Sequence, residues 1–171
     1  MWFTPLHLYF DDVQVGQVWE SPGRTITETD IVNFAGLSGD FNQIHINHEF
    51  ARNTPFRRPI AHGLLVQAIG SGLGLYAPPM RTLALLAFRE WHFREPVFVG
   101  DTIRVRTQVQ DKELRGRGKR GVITWQRQLV NQDSKVVQEG ISVTMVERRE
   151  TQDEPASNQA EASDRAGAQT G

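Results

Sequence analysis

The segment from Gly63 to Tyr76 constrains the fold most strongly, because it combines an apolar helical stripe with several glycines. The stripe consists of Leu64, Leu65, Ala68, Ile69, Leu73 and Tyr76, and the glycines are Gly63, Gly70, Gly72 and Gly74. Each interior glycine lowers helix stability by about 1 kcal/mol relative to alanine. A helix that keeps several of them is expected to pack its backbone closely against another element.

Four segments with the composition of β-strands follow this helix. They are Leu83–Val99, Thr102–Glu113, Gly121–Asn131 and Lys135–Arg148. Apolar and polar residues alternate clearly within them, as in Ile103, Val105, Thr107 and Val109 and in Ile141, Val143 and Met145. With short strands expected before residue 27, the pattern predicts an α+β fold in which one antiparallel sheet covers one long helix.

A second, shorter helix is predicted for Thr27–Leu37. Thr27 followed by Asp30 is typical of a helix N-terminus, and Ser38 and Gly39 end the helical pattern. Residues 39–47 are then expected to form a polar loop, and residues 48–53 a single helical turn.

Residues 1–150 are interpreted as one domain. Residues 151–171 contain no aromatic residue and no Val, Ile, Leu or Met, but they contain four acidic residues. Such a composition buries too little apolar surface to offset the entropy lost on ordering. The sequence therefore predicts a disordered acidic tail.

Composition excludes several classes of function. The chain has no cysteine, which rules out disulfides, thiolate metal sites and a cysteine nucleophile. Its net charge of −1 gives no general attraction to nucleic acid or to an anionic membrane surface. It contains neither a membrane-spanning apolar run nor a basic region typical of a signal peptide, so we expect a cytoplasmic protein.

The loop after the first helix holds the strongest candidates for chemistry. Asp40 and His45 are a carboxylate and an imidazole five residues apart, and both can transfer protons near neutral pH. An equally simple interpretation is that Asp40 is a turn residue and His45 a solvated histidine.

His62 and Gly63 lie at the predicted start of the glycine-rich helix. A glycine amide at a helix N-terminus can approach and polarise a carbonyl oxygen. The alternative is that Gly63 only permits tight packing. His45 and His48 form a loose H-x-x-H pair, but no further ligand follows at a suitable spacing, so we expect no metal.

Three blocks of the sequence resemble the MaoC-like (R)-specific enoyl-CoA hydratases. Residues 34–45 (FAGLSGDFNQIH) are similar to that family's S-G-D-x-N-P-[IL]-H pattern, and residues 58–65 (RPIAHGLL) to its R-P-I-x-H-G-[ML]-L segment. Residues 96–101 (PVFVGD) match a weaker third block. Gln43 departs from the first pattern, which usually has proline there. Asn47 and His48 also depart from the family's usual aspartate and proline.

The resemblance implies a hotdog fold, in which an antiparallel sheet wraps a long central helix. It also implies a homodimer, or a dimer of dimers, with the acyl-thioester site at a subunit interface. Asp40 and His45 fall on the family's catalytic aspartate and histidine, and Gly63 on the glycine whose amide meets the thioester carbonyl. Ser38, Asn42 and His62 are expected to bind substrate or to support the catalytic loop.

The activity implied is reversible hydration of a trans-2-enoyl thioester, with CoA as part of the substrate and no separate cofactor. An acyl-CoA thioesterase of the same fold is the main alternative. A non-catalytic subunit that binds acyl thioesters is another. Acyl chain length, the choice between CoA and a carrier protein, and the physiological direction are not determined by these residues.

Overall fold

The computed structural model describes residues 7–116 and 120–149. These contain six strands, β1 (Val18–Glu20), β2 (Arg24–Thr25), β3 (Thr82–Phe93), β4 (Thr102–Arg115), β5 (Arg120–Val130) and β6 (Val136–Glu147). The helices are α1 (Glu28–Ser38), α2 (Gln43–Ile46), α3 (His48–Arg52) and α4 (Gly63–Leu73). The predicted tail, residues 151–171, lies outside the described residues, and the boundary at residue 150 stays a prediction.

The strands form one antiparallel sheet in the order β1-β4-β5-β6-β3, and β2 also pairs with β4. The buried face of the sheet packs on α4, where Leu65 and Val66 contact a core that includes Val105 and Leu129. A second core lies beneath the N-terminal segment, where Phe10 joins Trp125 and four other buried residues. The predicted α+β arrangement of one sheet over one helix is confirmed.

Three of the four glycines in the helical segment lie close to side chains of the sheet. A Cβ atom on Gly63 would lie 2.7 Å from Phe93 Cε1, and one on Gly70 would lie 2.6 Å from Leu129 Cδ2. A Cβ atom on Gly74, in the short 3₁₀ turn Gly74–Tyr76, would collide with the Arg127 guanidinium. Gly72 has no such neighbour within 4 Å, so close packing accounts for the other three glycines only.

Two predicted boundaries were wrong. The strand predicted for Leu83–Val99 ends at Phe93, because the next two N–H groups both turn to the Val137 carbonyl and Pro96 has no N–H to donate. The loop predicted for residues 39–47 contains the short helix α2, which Asn42 caps by accepting a hydrogen bond from Ile44 N–H. The remaining helices and strands lie within about two residues of their predicted positions.

Among residues 7–116 and 120–149, no helix is long and apolar enough to cross a membrane. The cytoplasmic location expected from the sequence stays a prediction.

The packing of α4 predicts opposite behaviour for two neighbouring glycines. Gly70→Ala and Gly72→Ala gain the same helix propensity, but only the first places a methyl group against the fully buried Leu129. We expect the Gly70→Ala protein to have a free energy of unfolding about 1–3 kcal/mol below that of the Gly72→Ala protein. Urea denaturation of both variants measures the difference, and equal stabilities would contradict the packing described above.

Candidate active site

The loop that carries Asp40 is built by the end of α1. Gly39 ends the helix in the left-handed conformation (φ 76°), which glycine adopts without strain. The Ser38 hydroxyl donates to the Phe34 carbonyl (2.6 Å) and accepts from Asp40 N–H (3.2 Å). Asn42 N–H then donates to Asp40 Oδ1 (3.2 Å). Asp40 is therefore held by its backbone and by one carboxylate oxygen, which leaves Oδ2 to face His45.

His45 lies on α2 and is fixed by the backbone of the segment that precedes α4. Its Nδ1 lies 2.7 Å from the Ile60 carbonyl oxygen, and Ile60 N–H donates in turn to the Ile44 carbonyl (3.2 Å). Because a carbonyl oxygen only accepts, Nδ1 must carry the proton. Nε2 of the neutral ring is then an acceptor. This nitrogen lies 3.9 Å from Asp40 Oδ2.

Two hydrogen-bond acceptors thus face each other across a gap too long for a direct hydrogen bond. The Asp40 side chain is 53% exposed and the His45 side chain 12% exposed, so the gap is open to water from the Asp40 side. A water molecule between them can donate one O–H to the carboxylate and the other to the imidazole. The arrangement is suited to holding and deprotonating a water molecule.

His62 lies behind His45 and is almost completely buried (2% exposed). The two imidazole rings stack with centroids 3.8 Å apart, and the Phe34 ring packs on His62 at 5.1 Å. His62 Nε2 lies 2.9 Å from the Asp40 carbonyl oxygen, whereas its Nδ1 is buried without a hydrogen-bond partner among the described residues. His62 therefore links the backbone of Asp40 to the ring of His45 without facing the gap itself.

Burial lowers the pKa of His45 below its usual value of 6.5. The Ile60 carbonyl raises this pKa and the neighbouring His62 lowers it, while the Asp40 carboxylate raises it by the smallest amount of the four. The imidazole is consequently neutral at pH 7, which keeps Nε2 available as a proton acceptor.

Gly63 begins α4 beside this pair. Its N–H belongs to the first turn, whose amides have no partner within the helix, and it lies at the positive end of the helix dipole. Gln138 supports this end of the helix by donating to the Gly63 carbonyl (2.9 Å). His45 and Gly63 line one cavity of about 390 Å³, which we call the catalytic cavity; Phe56, Ala61, Val66, Phe93 and Gln138 are also among its walls.

Asp40 is not part of the wall of this cavity but lies beyond His45 on the exposed side. A larger cavity of about 560 Å³ lies between α1 and α4, and neither Asp40, His45 nor Gly63 lines it. We therefore take the smaller cavity as the candidate active site, because His45 and Gly63 both line it and Asp40 faces His45 from outside it.

The departures from the family pattern compensate one another. The Asn47 side-chain amide donates to Gln43 Oε1 (3.0 Å), and Asn47 also caps α3 by accepting from Phe50 N–H. Gln43 is thus the first residue of α2 and is held by this hydrogen bond, whereas a proline there would be held by its fixed φ. His48 turns away and pairs with Glu28 (2.9 Å), so the H-x-x-H pair does not converge.

Asp40, His45 and His62 each offer one potential ligand atom, and these atoms lie within 4.8 Å of one another. The stacking argues against a shared ion, however. A metal ion lies near the plane of each histidine ring that binds it, about 2.0–2.1 Å from the nitrogen. Two rings stacked 3.8 Å apart with an interplanar angle of 28° do not direct their nitrogens at one such point.

Every predicted site residue lies in this region. Asp40, His45 and Gly63 surround the gap and the cavity, while Ser38 and Asn42 hydrogen-bond the Asp40 loop and His62 packs beneath it. Sequence reasoning missed the Ile60 carbonyl and Gln138, because their contacts join residues 15 and 75 positions apart. No local pattern signals such pairs.

The chain matches known proteins over most of the described residues. The profile of the family described as "MaoC like domain" matches residues 12–131. The 3-hydroxybutyryl-CoA dehydratase of Methylorubrum extorquens is 38% identical over 105 residues, covering 61% of this chain and 65% of that protein. The (R)-specific enoyl-CoA hydratase of Rhodospirillum rubrum is 41% identical over 96 residues, covering 56% and 65%. The alignments thus span less than two thirds of either relative.

Solved structures agree with the predicted fold. A MaoC-like dehydratase from Rhodospirillum rubrum superposes with a TM-score of 0.75 at 27% identity, covering 84% of this chain and 99% of that one. A Mycobacterium tuberculosis protein with a double hotdog fold superposes with a TM-score of 0.74 at 23% identity, covering 87% and 46%. The hotdog fold expected from the resemblance is confirmed.

The environment of His45 predicts its titration. We expect its pKa to lie below 6.5 in the folded protein, and Asp40→Asn to lower it further because the substitution removes a carboxylate that raises this pKa. Two-dimensional NMR of the histidine ring signals of the wild-type and Asp40→Asn proteins measures both values. A His45 pKa above 6.5, or a rise in the Asp40→Asn variant, would contradict this account.

The lowered pKa of His45 also makes the stability of the folded protein depend on pH. A lowered folded pKa stabilises the folded state above about pH 6.5, and this contribution is lost as the pH falls through the folded pKa.

Proposed function

The chain belongs to the MaoC-like domain family, and from this premise we propose that it is a hydro-lyase that reversibly hydrates a trans-2-enoyl-CoA to the (R)-3-hydroxyacyl-CoA. One observation carries the proposal: Asp40 Oδ2 and His45 Nε2 face each other at 3.9 Å, and His45 lines the same cavity as the first amide of α4. The relatives named above act on substrates of this class.

Hydration requires a water molecule, an acceptor for its proton and a donor to the thioester oxygen, all in fixed relative positions. A water molecule held by Asp40 and His45 attacks the β-carbon, and the pair takes one of its protons as the C–O bond forms. The electrons of the double bond move to the thioester carbonyl, whose oxygen becomes an enolate that the Gly63 N–H stabilises. The enolate collapses as the α-carbon receives a proton, so that H and OH have been added across the double bond.

The carboxylate and the imidazole act as one unit in this scheme. Neutral His45 accepts a hydrogen bond at Nε2 while its Nδ1–H stays on the Ile60 carbonyl. The proton taken from water is then shared by a coupled pair, which hands it on to the α-carbon or to solvent. Dehydration is the same sequence reversed, and no cofactor beyond the CoA of the substrate is required.

The proposed activity predicts the effect of conservative changes in the pair. Asp40→Asn and His45→Gln should each lower kcat for crotonyl-CoA by about 10²–10⁴-fold, because each removes one proton acceptor at similar side-chain size. His48→Gln is the matched control, since it changes an exposed histidine that lies against Glu28.

The assay follows the loss of the conjugated-thioester absorbance and, in the same tube, the release of free thiol. Loss of absorbance without thiol indicates hydration, whereas thiol release indicates the thioesterase alternative. Full activity of Asp40→Asn would exclude the assigned mechanism, provided circular dichroism shows a folded variant.

We also propose that the protein is a homodimer formed along β3. This strand lies at the end of the sheet, and its outer edge has no partner strand among residues 7–116 and 120–149. Its exposed apolar side chains are Leu83, Leu85, Leu86, Phe88 and Phe93. A long apolar edge strand is a template for strand pairing, and a two-fold axis pairs such a strand with its own copy in antiparallel orientation.

A charge on this edge should break the dimer. Leu86→Lys places an ammonium group on β3 outside the cavities described above, and we expect the mass in solution to fall to that of one chain. Leu114→Lys is the control, because Leu114 is similarly exposed (46%) on β4 and should keep the dimer. Multi-angle light scattering measures both masses, and a Leu86→Lys dimer would refute pairing along β3.

A further inference from the structure

A partly buried arginine has no carboxylate partner among residues 7–116 and 120–149. Arg127 lies on β5 and faces the end of α4 rather than solvent, against Gly74. Among the described residues no carboxylate lies within 4.0 Å of its guanidinium. Its hydrogen bonds go to two neutral groups, the Ser142 hydroxyl (2.8 Å) and the Thr107 hydroxyl (3.2 Å). Buried charges are normally paired, so this one requires an explanation.

The charge persists at neutral pH. Burial lowers the pKa of Arg127 to about 10. The two hydrogen bonds occupy two of the five N–H donors that a guanidinium carries. The remaining donors suit a carboxylate, which a guanidinium binds through two parallel hydrogen bonds.

A cavity of about 180 Å³, which we call the distal cavity, lies directly beside Arg127. Its walls are mainly apolar and include Leu75, Met80, Leu85, Phe88, Trp91 and Trp125; besides Arg127, the polar residues of the lining are Ser71, Thr82, Ser142 and Thr144. A cavity with one cation in an apolar lining fits a ligand that has a hydrocarbon body and a terminal anion.

The distal and catalytic cavities lie along the same face of α4. Gly63 begins the helix at the catalytic cavity, and Gly74 follows its last residue at the distal cavity. Eleven residues at 1.5 Å each separate these glycines by roughly 16 Å along the helix axis. An extended chain advances roughly 1.2 Å per bond, so about a dozen carbon atoms span that distance.

One hydrogen-bonded pair of side chains connects the walls of the two cavities. Trp91 lines the distal cavity and donates its indole N–H to Gln138 Oε1 (3.1 Å), while Gln138 lines the catalytic cavity. A ligand that occupies both cavities at once requires the Trp91 ring to turn aside, a change of the kind that side chains commonly make when a ligand enters.

On the basis of the proposed hydratase activity, we propose that the distal cavity binds a carboxylate at Arg127, and that the preferred substrate is an enoyl thioester of about twelve carbons with a carboxylate at its far end. The thioester carbonyl then meets the Gly63 amide while the terminal carboxylate meets the Arg127 guanidinium. A competing explanation is that Arg127 only neutralises the C-terminal end of the α4 dipole, and the experiment is designed to separate the two.

The test compares two substrates that differ only at the far end, trans-2-dodecenedioyl-CoA and trans-2-dodecenoyl-CoA. We expect kcat/KM of the wild-type protein to be at least tenfold higher for the first, and the ratio to fall to about one in Arg127→Gln through a higher KM. Arg106→Gln, which changes an exposed arginine outside both cavities, should keep the wild-type ratio.

Equal kcat/KM values for the two substrates in the wild-type protein overturn the proposal even if Arg127→Gln does not fold. Loss of both activities in parallel in a folded Arg127→Gln protein also overturns it and leaves the dipole explanation.

A binding measurement tests the carboxylate site at Arg127 independently of the hydratase activity. Calorimetry compares octanoate with octan-1-ol, and we expect octanoate to bind the wild-type protein at least tenfold more tightly, with the difference lost in Arg127→Gln. That result without hydration of any enoyl-CoA supports the carboxylate site and refutes the hydratase. Hydration without discrimination between octanoate and octan-1-ol refutes the site alone.

Discussion

The close approach of α4 to the sheet is the constraint on which the rest of the structure depends. Gly70 meets Leu129 and Gly74 meets Arg127 at distances that leave no room for a Cβ atom. This contact buries Leu65 and Val66 in the main core and fixes the direction of the helix axis. It therefore also fixes where the first turn of the helix, with its unpaired amides, is presented.

The catalytic loop is positioned against that helix from two sides. His62, which precedes α4, stacks on the His45 ring and contacts the Asp40 carbonyl. The Ile60 carbonyl accepts a hydrogen bond from His45 Nδ1–H. A carboxylate and a neutral imidazole are thus held apart as two acceptors. Their separation of 3.9 Å is a distance that water can bridge. The proposed chemistry follows from that gap more directly than from either residue alone.

The missing side chain has a different consequence at each glycine of α4 and of the turn that follows it. At Gly63 the missing side chain leaves the amide accessible and avoids Phe93, whereas at Gly70 it lets the helix pack against Leu129. At Gly74 it makes room for the guanidinium of Arg127, the charge on which the proposed substrate preference depends. The catalytic and distal cavities lie along the face that carries these three glycines.

The sequence by itself determined the order of the longer helices and strands, though not the short helix α2, and it singled out the candidate catalytic residues. Hydrophobic periodicity is a local property, so α1, α4 and β4 were predicted from neighbouring residues, and the S-G-D-x-N and H-G blocks marked Asp40, His45 and Gly63. The end of β3 at Phe93 was missed, because it depends on the distant Val137 carbonyl. Only the tertiary structure decided that Nδ1 of His45 is bound by Ile60, that His62 packs beneath His45, and that the partly buried Arg127 meets no carboxylate in the part of the chain that the structure describes. Each of these depends on contacts between segments far apart in the chain, whose distances and burial are set only when the sheet closes over the helix.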